Sequence, residues 1–339
     1  MNELRVPLIF NPIYKDYLWG GTRLVSKYKR TLPSDIGICA ESWEIAANKD
    51  GESVVSSGSF ADKGLIWLTT KYGAALVGTR APDPTRFPLL FKLIDARKHL
   101  SVQVHPNRES AARVNLEHKG KGKESKSEPK TEMWVVLACT PDACLYAGLP
   151  ADVTKKSLRD ALKDKDAVAS QLVRLPVESG QALFIPGGLI HAIGAGCLIY
   201  EVQQNSNTTY RLFDWNRTDA DGKSRPLHIK KSFQTIDWSL PVPQMIKPSP
   251  CRKKGTNQWS NVIVCEYFYV RQLKLTTPLD VPVDGTSFHE LFSMRGRVSI
   301  RAGGEEVVLA EGGSALIPAD AGVYTLTPDK SATLIVTTL

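Results

Sequence analysis

The sequence predicts a mainly β protein: a jelly-roll barrel with helical insertions, followed by a second, smaller β-barrel. Three observations carry that prediction. Brief apolar or alternating runs such as "PLLFKLID", "EMWVVLAC", "QALFIP" and "CLIYEVQQ" recur along the chain, bounded by Gly, Pro, Asn or Asp. The 21 prolines and 25 glycines in 339 residues divide it into many short elements. No strand–helix–strand rhythm runs through it, which sets aside a parallel α/β sheet.

Taken in order, the opening "MNELRVPLIFNPIYKDY" has no basic segment followed by a long apolar run. No stretch of the chain reaches the roughly 20 apolar residues of a bilayer span. A cytoplasmic protein without membrane contacts is therefore expected. Apolar residues recurring every three or four positions predict helices over 62–78, 107–118 and 154–175. The strand-like runs fill the intervals between them. "LPVPQMIKPSPCRKKG" (240–255) packs four prolines into 16 residues and reads as a linker. It divides the chain into a larger unit, 1–245, and a β unit without metal ligands, 246–339. From the second unit come "NVIVCEYFYVRQLKL", "RVSIRAG" and "ATLIVTT", all strand-like.

Composition excludes several classes of function. Apolar residues at 42% and charged residues at 23% are those of a globular protein, not a filament or a disordered chain. The six cysteines form no C-x-x-C pair, so reduced thiols are expected and neither a zinc knuckle nor a redox motif. The net charge of +8 is concentrated in "HKGKGKESKSEPK" (118–130). That run lacks aromatics and contains Glu124 and Glu128, so it reads as a solvated loop, and no nucleic-acid partner is expected.

The polar groups cluster elsewhere. In "LSVQVHPN" (100–107), Gln103 and His105 are two apart in a strand pattern, so both leave one face while Val102 and Val104 leave the other. Glu132 heads the apolar strand in "KTEMWVVL". His191 follows a Pro-Gly-Gly turn in "FIPGGLIHAIGAG", displayed at a barrel rim. Gln103, His105, Glu132 and His191 together offer two imidazoles, a carboxylate and an amide oxygen. Such a set suits a divalent ion of zinc type, and two His with a carboxylate also suit iron. A weak repeat sharpens the contrast between the barrels. "GQALFIPGGLIH" and "GSALIPADAGV" both run from a strand through a proline into a turn, but five residues past the proline the first has His191 and the second Val323. The first barrel is expected to hold a site and the second only to pack.

These residues carry a resemblance. "YKDYLWGGTRL" (14–24), "AESWEIAA" (40–47), "LSVQVHPN", "KTEMWVVL" and the stretch 184–217 stand in the order found in zinc-dependent mannose-6-phosphate isomerases of the cupin type. The likeness spans about residues 7–235, and beyond it only the β-rich, cupin-like character is shared. The resemblance implies a cupin jelly roll, one zinc ion per chain and reversible aldose–ketose interconversion of mannose 6-phosphate and fructose 6-phosphate. Carried over position by position, the family's metal ligands fall on Gln103, His105, Glu132 and His191. Its lysine two before the glutamate falls on Lys130, and its arginine after "TTY" on Arg211. One position departs: "NSNTTYR" has Asn207 where the family has an aspartate proposed for proton transfer.

Isomerisation needs a group to move a proton between C1 and C2 and positive charge for the enediolate. Glu201, which alternation puts on one face with Gln203, and Lys130 are the candidates for the carbon proton. Arg211 offers a fork of donors to an oxyanion or phosphate. Ser101, two before Gln103, is a candidate phosphate contact. Trp19 and Trp43 are core residues or cavity lining, and His99, His118, His228 and His289 carry no spacing argument. A non-catalytic sugar-phosphate-binding cupin and an iron-dependent oxygenase are the competing readings. The partner expected is a small sugar phosphate, with the protein a monomer or small homo-oligomer.

Overall fold

A computed structural model describes residues 4–118, 126–164, 167–219 and 221–339. Four antiparallel sheets stack in two sandwiches. The first sandwich pairs a six-stranded sheet, in the order Ala182–Ile185, Glu132–Cys139, Cys197–Gln204, Leu89–Ala96, Glu41–Ile45 and Ile13–Lys15, with a five-stranded one. The five-stranded sheet runs Arg174–Pro176, Cys144–Ala147, Ile190–Ile193, Val102–Val104 and Tyr210–Phe213. Their facing sides meet in one apolar cluster that joins Ile94, Trp134, Leu183 and Ile199 to Leu145, Leu189 and Ile193. Alternation sends the other residues of each strand outward. Val102, Val104, Ile190 and Leu212 are covered by Val114 and Leu158 of the helices Arg108–His118 and Lys155–Ala161 and by Ile236, just past Ile229–Thr235.

The six-stranded sheet is buried on both faces. Its far side, Phe91, Leu93, Met133, Tyr200 and Val202, packs on Val270, Phe292, Leu316 and Ile335 of an eight-stranded sheet. That sheet is built mainly from the C-terminal segment. It takes two further strands from the other end of the chain: Leu8–Asn11 pairs with Ser314–Ile317, and Val54–Val55 pairs with Leu8–Asn11. A four-stranded sheet closes its remaining face through Leu279, Val298, Ile300, Tyr324 and Leu326. Burial on both faces explains why Leu89–Ala96 and Cys197–Gln204 read as near-continuous apolar runs, not as clean alternation.

The "GGTR" stretch is a clamp between strands. A Cβ on Gly20 would lie 2.7 Å from the Ala40 backbone, and one on Gly21 would lie 2.4 Å from the Asp95 carboxylate, so only glycine lets the chain pass. Arg23 then binds buried Asp95 through its backbone N–H and its Nε, both at 2.7 Å, and donates to the carbonyls of Gly196 and Cys197.

Three local expectations are corrected. The helix over 62–78 is two pieces, Leu65–Tyr72 and Ala74–Val77, broken at Gly73, whose φ of 52° leaves the helical region. Among the described residues the helix over 154–175 is reduced to Lys155–Ala161, started by a Thr154–Ser157 capping box, and a short 3-10 turn, Ala169–Gln171. It ends early because the charged residues that follow Leu162 offer no apolar face to bury, and by Arg174–Pro176 the chain is a strand. The proline-rich segment 240–255 is not all linker. Ser249–Lys254 is the edge strand of the eight-stranded sheet, a place where Pro250 needs no ladder N–H. All six cysteines are free thiols, with Cys251 exposed. Among the described residues no helix is long and apolar enough to cross a membrane. The lysine-rich stretch 119–125 lies outside the described residues.

Candidate metal centre

The two sheets of the first sandwich bring the four sequence-selected ligands together. In the five-stranded sheet, Gln103 is the direct cross-strand partner of both His191 and Arg211, so the three side chains form a row on one face. His105 follows one position after the Val102–Val104 strand. Glu132 comes from the opposite, six-stranded sheet, where it pairs with Gln203. The ligand atoms of His105, Glu132 and His191 all lie within 4.8 Å of one another, and the three residues are buried. His105 Nε2 is 3.3 Å from Glu132 Oε2, and His191 Nε2 is 3.3 Å from Glu132 Oε1. Gln103 Nε2 stands 3.5 Å from His191 Nε2, and its Oε1 accepts a hydrogen bond from the Ser101 hydroxyl at 3.3 Å.

The backbone fixes how each imidazole faces. His105 Nδ1 donates to the Thr208 carbonyl at 2.9 Å, and His191 Nδ1 donates to the Leu189 carbonyl at 2.8 Å. With each Nδ1 so engaged, each Nε2 presents its lone pair inward, the tautomer a metal requires. The Pro-Gly-Gly turn sets the spacing between the two histidines. A Cβ on Gly187 would lie 2.7 Å from the Pro106 carbonyl oxygen, and the Gly188 N–H donates to the His105 carbonyl at 2.7 Å.

These residues fit a metal ion on their own geometry. Glu132 Oε1 is buried without a hydrogen bond and faces a neutral imidazole whose Nε2 cannot donate, a costly arrangement that a cation between them would relieve. Burial alone would raise the Glu132 carboxyl, but the Lys130 ammonium, 2.8 Å from Oε2, and then the imidazoles hold it well below the usual carboxylate range. Burial pushes His191 down to about 3, and burial followed by Lys130 lowers His105, so both imidazoles are neutral at pH 7, the form in which they could bind a metal.

Around the centre the remaining candidates fall as follows. Lys130 is buried between Glu132 and His105, with Nζ 3.2 Å from His105 Nε2. Glu201 is buried on the same face as Glu132. Its Oε2 accepts from Trp134 Nε1 at 2.8 Å, and its Oε1 has no hydrogen bond. Burial, then the neighbouring Glu132, raises its carboxyl, with Lys92 and Lys130 opposing. Arg211 is half-buried, donates one Nη1 bond to the Pro226 carbonyl and has a buried Nε with no partner. Asn207 is exposed, its amide donating to Asp50 at 3.0 Å. Trp19 and Trp43 are both core residues, 3% and 1% exposed.

Sequence reasoning passed over Lys92. It lies cross-strand from Glu201 and Trp43, with Nζ 3.4 Å from both Glu41 and Glu201. Burial would lower its ammonium, but Glu41, Glu201 and Glu132 outweigh that and raise it. The signal was present: a lysine amid the run "LLFKLIDA" is buried only when paired.

Against known proteins, residues 8–149 match the family model for the catalytic domain of type I phosphomannose isomerase. The mannose-6-phosphate isomerase ManA of Bacillus subtilis is 38% identical over 273 residues, 80% of either chain. The crystal structure of the mannose 6-phosphate isomerase from Bacillus subtilis superposes with a TM-score of 0.83 at 28% identity, covering 98% of this chain and 99% of that one. A zinc-bound mannose 6-phosphate isomerase shares the fold at a TM-score of 0.73 and 16% identity, covering 97% and 98%. Identity of 38% across four-fifths of both chains, on a fold shared end to end, makes this chain a member of the mannose-6-phosphate isomerase family.

Proposed function

We propose that this chain interconverts mannose 6-phosphate and fructose 6-phosphate, with zinc held by Gln103, His105, Glu132 and His191. The observation that carries the reading is the buried Glu132 carboxylate. Its Oε1 has no hydrogen bond, its Oε2 is met by the Lys130 ammonium at 2.8 Å, and the Nε2 atoms of two neutral histidines stand 3.3 Å away. When bound, the ion supplies positive charge for the sugar oxygens on which the enediolate charge develops.

The protein's own groups divide the remaining work. Glu201 moves the carbon proton: its Oε1, which has no hydrogen bond and only the Lys92 ammonium at 3.4 Å, takes the proton from C2 of the aldose and returns it to C1. The raised carboxyl suits both halves of that transfer, because it lies nearer neutrality than an ordinary glutamate. Trp134 Nε1–H and the Lys92 ammonium hold the carboxylate in place. Lys130, a donor beside the cluster, gives a hydrogen bond to O1 as it becomes negative, and the O2 proton passes to O1 so that C2 becomes the carbonyl. Arg211 and Ser101, in and beside the Gln103 row, receive the phosphate. Asn207 takes no part in proton transfer, since an amide does not ionise at neutral pH.

We place the enzyme in the cytoplasm, as a monomer or small homo-oligomer acting on a small sugar phosphate. Residues 1–245 form the catalytic unit, and residues 246–339 form an accessory β unit tied to it by the Leu8–Asn11 strand. A coupled assay from mannose 6-phosphate tests the activity. Turnover that is lost on chelation and restored by zinc supports it, and a folded, zinc-loaded protein with no turnover refutes it.

A further inference from the structure

The second barrel was expected only to pack, yet a cleft opens between its two sheets. A cavity of about 430 Å³ lies there between the eight-stranded and four-stranded sheets. Its size suits a metabolite and not a polymer, and barrel mouths are common ligand sites. The lining is basic and aromatic: Arg252, Lys254 and Arg271 with Trp259, Tyr269 and His289.

Arg271 is the unusual member. It points from the barrel's interior face, cross-strand from Val336, where its neighbours are apolar core. Its guanidinium carbon lies 4.6 Å from the Trp259 ring centre and 5.0 Å from that of Tyr269. Its Nε is buried with no hydrogen-bond partner, a state that costs stability unless something fills the cavity. Among the described residues neither Arg271, Arg252 nor Lys254 forms an ion pair. Two carboxylates also line the cavity, outnumbered by its basic groups and each hydrogen-bonded to a neighbouring threonine: Asp280 accepts from Thr325 at 2.7 Å, and Asp284 accepts from the Thr286 N–H and hydroxyl. Arg252 and Lys254 reach the mouth from alternate positions of the Ser249–Lys254 edge strand, Arg252 cross-strand from Trp259. Buried His289 shares a hydrogen bond with the Tyr324 hydroxyl at 3.0 Å. Burial, then Arg271, lowers it to about 4, so the ring is neutral and able to bond a ligand hydroxyl.

We propose that this mouth is a second small-molecule site that binds a phosphate monoester, with the phosphate on Arg271, Arg252 and Lys254 and the organic body against Trp259 and Val281. Arginine's fork matches phosphate oxygens two at a time, and lysine adds a point charge. The site lies beyond the sandwich interface from the metal centre and is independent of the isomerase reading.

Isothermal titration calorimetry with inorganic phosphate on the zinc-loaded protein tests it, with citrate as the carboxylate control. Arg252→Ala/Lys254→Ala, which alters only exposed side chains, is expected to weaken one binding component at least tenfold. Arg271→Leu is expected to abolish that component. In both variants kcat and KM for mannose 6-phosphate stay within twofold of wild type. Tungstate soaked into crystals is expected to give an anomalous peak beside Arg271. Identical phosphate isotherms for wild type and the double variant overturn the proposal, as does tungstate confined to the metal-centre cleft. Citrate binding in the absence of phosphate binding overturns the choice of phosphate.

Discussion

Glu290 sits between the two sandwiches with no solvent exposure, and replacing it with glutamine should make the protein more stable in alkali. Its carboxyl accepts a hydrogen bond from the Tyr200 hydroxyl at 2.6 Å, and the Ser314 and Thr337 hydroxyls lie beside it. Glu44, whose charge adds to the effect of burial in raising the Glu290 carboxyl, is itself held by Arg30 at 2.7 Å and Ser42 at 2.6 Å. Burial therefore raises the Glu290 carboxyl from an ordinary 4.5 to about 8, the hydroxyls opposing. The folded protein keeps this proton over a range where the unfolded chain releases it. The stabilisation is fully present below pH 4.5, declines as pH rises, and is gone above about pH 8. At about 1.4 kcal/mol per pH unit, wild type should lose on the order of 4 kcal/mol between pH 5 and 8 through this group alone. Glutamine keeps an oxygen for Tyr200 and carries no charge at any pH. Denaturant unfolding of zinc-saturated wild type and Glu290→Gln across pH 5–9 isolates the effect, because the buried histidines contribute equally to both. A stability difference that stays constant to within about 0.5 kcal/mol over that range would refute the reasoning.

Three further outcomes follow from the centre itself. His191→Ala removes a ligand and leaves Glu132 facing a void. Metal analysis should find below about a tenth of an equivalent of zinc, with kcat at least about 10³-fold lower, and full zinc retention would exclude His191 as a ligand. Glu201→Gln should retain zinc, lose about 10²–10⁴-fold in kcat and abolish solvent deuterium exchange at C2, whereas intact exchange would transfer the role to Lys130. Asn207→Asp puts a second carboxylate beside Asp50 at an exposed position. Its kcat should change by less than about threefold, and a gain above tenfold would make this a proton-transfer position.

How much of this was legible in the chain differs from residue to residue. Gln103 and His105 could be read because strand alternation fixes which neighbours share a face. His191 could be read because a Pro-Gly-Gly turn admits few placements. The helix over 154–175 misled because propensity continues past the point where burial stops, and the linker reading misled because proline is also at home on a sheet edge.

By itself the sequence determined most of the strands, their inward and outward faces, and the four side chains, Gln103, His105, Glu132 and His191, that the fold brings together. Only the tertiary structure decided which sheet faces which. That choice set Lys92 and Glu201 side by side beneath the metal centre, buried Glu290 against Tyr200, and carried the Leu8–Asn11 strand into the C-terminal sheet. The physical reason is range. Alternation is a local property of φ and ψ, whereas sheet pairing and stacking depend on contacts between residues far apart in the chain, which no short window of sequence contains.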